Sequence, residues 1–277
     1  MNDDRPTLET LSASELRRLR FRNIPIRVVL PNLVTLLALS MGLTSIRYGV
    51  EGDFQKAVSA IMAAAVLDGL DGRLARAIKG TSRFGAELDS LADFIDFGVA
   101  PALLLYLWSL QEIKGLGWFA VLAFVIAAAL RLARFNVMID DPGKPAWHAD
   151  FFVGMPAPAG AVTVLLPLYL HFSELELPAS RALTPFYIVY VLGIAFLMAS
   201  TIPHFSGKRI GRIPRDLVIP ALFGAGVTAL LLAIYPMELL AVVSLAFLAM
   251  IPFSVKRYNA LAKGEAAKGE TPSSDPR

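Results

Sequence analysis

Residues Ala65–Gly98 read AVLDGLDGRLARAIKGTSRFGAELDSLADFIDFG, and they decide the fold class because four aspartates, from Asp68 to Asp93, interrupt a run that otherwise belongs in a membrane. Asp68 and Asp71 are three residues apart, and Asp89 and Asp93 are four apart. Both spacings put a pair of acids on one face of a helix. Two such helices, each with its acids at the water boundary, can set four carboxylates around one site. Charge of this kind inside or beside a bilayer is expensive and marks function. Carboxylate oxygens bind hard divalent cations such as Mg²⁺, often together with the phosphate oxygens of a substrate. The stretch therefore points to metal-assisted phosphoryl chemistry on a lipid-soluble substrate.

Outward from this stretch the chain is apolar. It has 277 residues, 56% of them hydrophobic, and no cysteine, which excludes disulfides and thiolate sites. Eight apolar spans are expected at Val28–Ile46, Ala57–Leu74, Leu88–Leu110, Leu116–Arg134, Phe151–Phe172, Pro185–Ile202, Leu217–Tyr235 and Met237–Ser254. A bilayer crossing takes about 20 mostly apolar residues. The second span qualifies only if its aspartate-bearing end projects into an aqueous cavity. The fold class is thus an all-α integral membrane protein of about eight transmembrane helices. Residues 1–27 form a basic cytoplasmic segment, 28–255 a transmembrane catalytic domain, and 256–277 a polar, disordered cytoplasmic tail. The N-terminus has no short apolar core of a signal peptide, so the first span is expected to remain.

Charge sets the orientation. With the N-terminus inside, only Arg47, Lys56, Lys114 and Arg181 of the 26 basic residues fall outside. That bias puts both termini and the four aspartates on the cytoplasmic side. Leu16 and Leu19 with the basic residues of Ser12–Arg27 read either as a positive flank or as an amphipathic helix on anionic lipid. The absence of cysteine and of transit features fits a bacterial inner membrane.

The fixed pattern is Asp68-x2-Asp71-Gly72-x2-Ala75-Arg76-x8-Gly85-x3-Asp89-x3-Asp93. Gly72 and Ala75 each follow an acid by one turn, leaving room for a bulky ligand against the backbone. Gly85 precedes Asp89 by one turn and clears the facing helix. Arg76 offers a fork for a phosphate oxygen. The loop from Lys79 to Arg83 adds hydroxyls and cations. Clustered carboxylates repel one another, so such a site favours metal.

At every fixed position this pattern is similar to the signature of the CDP-alcohol phosphatidyltransferases. The resemblance implies a helical bundle with a cytoplasm-facing active site. It implies divalent metal, two ions of Mg²⁺ or Mn²⁺, on Asp68, Asp71 and Asp89, with Asp93 sharing the site and acting as the base. It implies contacts to the CDP moiety from Gly72, Ala75, Arg76, Ser82 and Gly85. Pro31-Asn32-Leu33-Val34-Thr35 resembles the family's first-helix element, so Asn32 and Thr35 are candidate nucleotide contacts. The alternative for Thr35 is a hydroxyl turned to its own backbone. The resemblance also suggests a homodimer.

The signature leaves the acceptor alcohol open. Leu88–Asp93, Phe97–Ala102, Arg131–Asn136 and Phe152–Ala159 look like the corresponding patterns of the membrane-embedded phosphatidylserine synthases, a resemblance running from Ile26 to about Lys208. It implies CDP-diacylglycerol and L-serine as substrates, CMP as leaving group, and direct in-line displacement, with a covalent intermediate as the alternative. Nothing points to nucleic acid. Serine is a zwitterion; Arg131 and Arg134, with Asn136, are the candidate acceptor-binding residues, an arginine forking to the carboxylate. The alternative is that these arginines set topology or bind lipid phosphate. Two positions depart from the pattern. Met155 replaces leucine. Asp96 stands where a neutral polar residue is expected, either pairing with Arg131 or Arg134 or holding an ammonium. Other acceptors are glycerol phosphate, an inositol compound or choline; Lys208, Arg209, Arg212 and Arg215 could meet a phosphorylated one. A divalent cation transporter is the rival from another class, disfavoured because the acids cluster at one face. A membrane scaffold leaves the pattern unexplained. His204 reads as structural or interfacial, and His148 and His171 as loop residues.

Overall fold

The computed structural model of the chain describes residues 26–138, 151–174, 182–205 and 217–269; side chains are described within these ranges except at 138 and 263–269. Helix α1 is Ile26–Val50 and α2 is Phe54–Ala77. Next come α3, Arg83–Asp93, a π-helical turn at Phe94–Val99, and α4, Ala100–Trp108. A 3₁₀ turn at Leu110–Ile113 leads into α5, Lys114–Met138. Strand β1 is Phe151–Val153, followed by α6, Ala157–Val164, and α7, Leu166–Phe172. Then follow α8, Thr184–Ala199, β2, Pro203–Phe205, α9, Val218–Ile234, and α10, Pro236–Gly269.

Four stretches among the described residues are long and apolar enough to cross a membrane: Ile26–Val50, Arg83–Trp108, Leu110–Val137 and Pro236–Ala262. Ala157–Phe172, Thr184–Ala199 and Val218–Ile234 are apolar but shorter. Each of the eight expected spans has a helical counterpart, but eight full crossings are not what the lengths establish. The fifth differs most from expectation. Phe151–Val153 is not its first turn but a strand antiparallel to Pro203–Phe205, with Phe152 opposite His204. Gly154 follows at φ +76°, a left-handed conformation suited to glycine, and its N–H donates to the Ile202 carbonyl at 3.0 Å. The sixth span correspondingly ends at Ala199 rather than Ile202.

Two helices place the aspartates. The buried face of α1 is Pro31, Thr35, Ala38, Gly42, Ser45 and Gly49, recurring every three or four residues. The facing side of α2 is Ala57, Ala60, Ile61 and Ala64, ending at Asp71. Small residues at helical spacing let two backbones approach closely, which drives packing where lipid is as apolar as the side chains. Asp53 caps α2, its carboxylate accepting from the Lys56 N–H at 3.1 Å.

The turn between α2 and α3 is equally specified. Gly80 N–H donates to the Ala75 carbonyl at 2.8 Å, and Lys79 takes the left-handed conformation at φ 52°. This is a Schellman end with lysine where glycine is usual. Pro31 has no N–H for the Arg27 carbonyl one turn earlier. That carbonyl lies against Gly80, where any Cβ would overlap it. Ser82 then caps α3, its Oγ accepting from the Gly85 N–H at 3.0 Å.

The core is shared by the π turn, α4, α5, α6, α7 and α8, with Phe97, Leu104, Phe124, Leu165, Tyr169 and Met198 buried together. Helix α9 buries no residue, so its apolar surface faces outward all round.

Candidate active site

The second half of α2 and the middle of α3 bring three acids together. Carboxylate oxygens of Asp68, Asp71 and Asp89 all lie within 4.8 Å of one another. An all-oxygen set of this kind suits a hard divalent cation, so these side chains could hold one. Asp71 is buried, and its position is set across the helix pair: the Thr35 hydroxyl donates to its Oδ2 at 2.5 Å. The same hydroxyl lies 3.2 Å from the Pro31 carbonyl. The hydroxyl thus reaches its own backbone, and its second bond, to Asp71, ties α1 to the acids.

Asp93 stands one turn beyond Asp89 and outside that group of three. Its carboxyl lies beside that of Asp68, and the charges of Asp89 and Asp96 act on it.

Beside the acids lies a cavity of about 170 Å³. Asn32, Thr35, Gly72, Ala75, Arg76, Ser82 and Gly85 all line it, together with Asp71 and Asp89. Every candidate CDP contact is thus on one wall system. Its shape depends on the glycines. A Cβ at Gly85 would sit 2.8 Å from Asn32 Oδ1 and 3.1 Å from Ser82 Oγ. A Cβ at Gly72 would meet the Arg76 guanidinium at 3.5 Å. Ala86 also lines the cavity. Sequence reading passed over it, although it directly follows Gly85.

The acceptor candidates are elsewhere engaged. Arg131 is buried; its Nε donates to the Met155 carbonyl at 3.1 Å, and its guanidinium lies 5.4 Å from the Phe135 ring centre. Arg134 donates to the carbonyls of Ser200 at 2.9 Å and Ala199 at 2.7 Å. It thereby closes the C-terminal end of α8, where unpaired carbonyls and the helix dipole attract a cation. Asn136 Nδ2 donates to Ser90 Oγ at 3.0 Å, joining α5 to the helix that carries Asp89. None of the three has a hydrogen bond to an aspartate. Asp96 is bonded to neither arginine: the ion pairs among the described residues are Arg47–Glu51 and Lys56–Asp53. Lys208, Arg209, Arg212, Arg215 and His148 lie outside the described residues.

His204 is buried in β2, stacked on Phe247 at 5.7 Å, with Nδ1 donating to the Ile202 carbonyl at 2.8 Å. Burial, with Arg131 nearby, pushes its imidazole below the usual histidine range. That fits the structural reading. His171 belongs to α7 rather than a loop and packs against Trp108 and Phe172.

The family model for CDP-alcohol phosphatidyltransferase matches residues 28–202, from the first turns of α1 to the end of α8. The chain belongs to this family. Its relatives narrow the kind of transferase it resembles. A protein of Mycobacterium leprae named CDP-diacylglycerol--serine O-phosphatidyltransferase is 43% identical over 237 residues, covering 84% of this chain and 77% of the relative. One of the same name from Mycobacterium tuberculosis is 39% identical, covering 85% and 81%. Another from Helicobacter pylori is 37% identical over 186 residues, covering 65% and 73%. Within a CDP-alcohol phosphatidyltransferase, the cavity beside three converging acids is the candidate site for the nucleotide.

Proposed function

We propose that this chain is a CDP-diacylglycerol–serine O-phosphatidyltransferase, an enzyme that moves the phosphatidyl group of CDP-diacylglycerol to the hydroxyl of L-serine and releases CMP. The observation that carries the acceptor is the similarity over most of the chain to relatives of that name. The observation that supports the donor is the cavity, whose lining joins Asn32, Arg76 and Ser82 to Asp71 and Asp89.

The chemistry follows from these residues. The cytidine diphosphate lies along the loop between α2 and α3, with Arg76 forking to a phosphate oxygen and Gly72 and Gly85 leaving backbone room. Asp68, Asp71 and Asp89, with Asp93 at the edge, are the ligands for one or two Mg²⁺ or Mn²⁺ ions. A bound divalent ion offsets the pyrophosphate charge and makes CMP a better leaving group. Asp93 accepts the proton of the serine hydroxyl as the serine oxygen bonds to the β-phosphorus. The bond from that phosphorus to the CMP oxygen breaks in the same displacement, so no protein nucleophile is consumed. Arg131 keeps its two Nη groups for the serine carboxylate, since Nε alone is hydrogen-bonded. Arg134 and Asn136 act at one remove, holding α8 and α3 against α5. The basic residues set the aspartates and both termini on the cytoplasmic side of an inner membrane.

The test is CMP release by the purified protein with CDP-diacylglycerol and Mn²⁺ or Mg²⁺, adding alcohols one at a time. Release that depends on L-serine, with phosphatidylserine in the lipid extract, is the expected result. Release with glycerol 3-phosphate, an inositol compound or choline instead would keep the family and move the acceptor. Release undiminished by a chelator would remove the metal from the proposal.

A further inference from the structure

Among the described residues, no cation is paired with the acid Asp96. It lies in the π-helical turn, 1% exposed, and its Oδ1 has no hydrogen bond. The fold makes space for it. A Cβ on Gly42 of α1 would overlap Asp96 Oδ1, so the glycine is what admits the carboxyl between the two segments. π-Turns widen a helix locally and are frequent at functional sites. Here the turn begins directly after Asp93 and carries the next acid inward.

A buried carboxylate is costly unless a cation or a proton meets it. Neither Arg131 nor Arg134 is bonded to it: Arg131 is bonded to Met155, and Arg134 to Ser200 and Ala199. Nor does Asp96 belong to the group formed by Asp68, Asp71 and Asp89. The acids near enough to act on it electrostatically are Asp68 and Asp93, the pair at the reacting end of the site.

We propose that Asp96 binds the ammonium group of the amino-acid acceptor, and so selects an amino alcohol over a plain one. The inference rests on the reading of the chain as a serine-using transferase. Its geometry is that of the substrate. The ammonium of serine is two carbons from the hydroxyl. Asp96 follows Asp93 by three residues and acts on it electrostatically, so an amino alcohol whose hydroxyl is delivered to Asp93 carries its ammonium toward Asp96.

Asp96→Asn tests this, because the amide keeps the shape of a neutral carboxyl and removes only the charge. CMP release is measured for wild type and variant with L-serine and with 3-hydroxypropanoate, which keeps the hydroxyl and carboxylate but lacks the ammonium. Serine-dependent release by the wild type is the reference; its absence would overturn the parent reading, and this inference with it. The variant is expected to raise KM for L-serine about tenfold or more, and to lower the preference for L-serine over 3-hydroxypropanoate by a similar factor. KM for CDP-diacylglycerol and the half-saturating Mn²⁺ concentration should stay within about twofold. An unchanged serine KM, or an equal loss of kcat with both acceptors, would overturn the proposal, since a neutral or structural carboxyl predicts those. Gly42→Ala is the second variant. It leaves the aspartate in place and displaces its carboxyl, so it should raise the serine KM in the same direction; no change would count against the site.

Discussion

Asp93 differs from its neighbours in position rather than in chemistry. Asp68, Asp71 and Asp89 converge within 4.8 Å, while Asp93 stands outside that group, beside Asp68. A carboxylate at the edge of the metal ligands keeps an oxygen that can receive a proton. Asp93→Asn is therefore expected to lower kcat by roughly 10²–10⁴, the usual worth of a positioned base. Binding of CDP-diacylglycerol should persist, measured by retention of the liponucleotide on the purified variant. Near-normal turnover would remove Asp93 from the role of base. Thr35 acts one step back. Its hydroxyl aims the Asp71 carboxylate, and the loss of such an outer contact typically weakens metal binding 10–100-fold. Thr35→Val should thus raise the half-saturating Mn²⁺ concentration about tenfold with the serine KM unchanged. A shift in the serine KM alone would instead put Thr35 at the acceptor.

At the scale of the element, the ends of the helices carry the specification. Lys79 holds a left-handed conformation that costs an ordinary residue roughly 1–2 kcal/mol. Lys79→Gly removes that strain and gives back part of it in chain entropy. A net gain of up to about 1 kcal/mol is expected, read as a higher unfolding temperature in detergent. A lower temperature would show that the lysine side chain contributes more than its backbone costs. Arg134 shows why an arginine near a site need not serve the ligand. Its two Nη groups hold the last carbonyls of α8, so Arg134→Ala leaves Ala199 and Ser200 without that partner. The expected cost is about 1–3 kcal/mol of stability. A raised serine KM in a variant of unchanged stability would return Arg134 to the acceptor pocket.

For the whole molecule, sidedness is the property that joins the site to its substrates. The chain has no cysteine, so a single introduced thiol reports its own compartment. Lys56, near the start of α2, and Lys79, just past its end, bracket the second of the expected spans. In intact cells an impermeant thiol reagent should label Lys56→Cys at once and Lys79→Cys only after permeabilisation. The reverse pattern would invert the orientation read from the basic residues. Both ion pairs of the described residues, Arg47–Glu51 and Lys56–Asp53, lie at the α1–α2 connection, the end of these helices away from the aspartates. Charge is thus paired at one end of the helix pair and gathered as unpaired acid at the other.

The sequence by itself determined the helical membrane class, the acid pairs and most of the residues that line the candidate nucleotide cavity. These are local properties. Asp68 with Asp71, and Asp89 with Asp93, share helix faces by spacing alone, and Gly72 and Gly85 follow the same periodicity. Proline and glycine at 31 and 80 likewise announce a turn before its partner is known. What only the tertiary structure decided is where side chains distant in sequence spend their bonds. Phe151–Val153 is too short and apolar to be told from a helix start until Pro203–Phe205 pairs with it. Arg131 and Arg134 read as free cations until Met155, Ala199 and Ser200 supply carbonyls within reach. Asp96 reads as one more acid of the run until α1 brings Gly42 against it and no cation comes with it. Periodicity specifies which face a residue occupies; what stands opposite that face depends on helices packed from elsewhere in the chain.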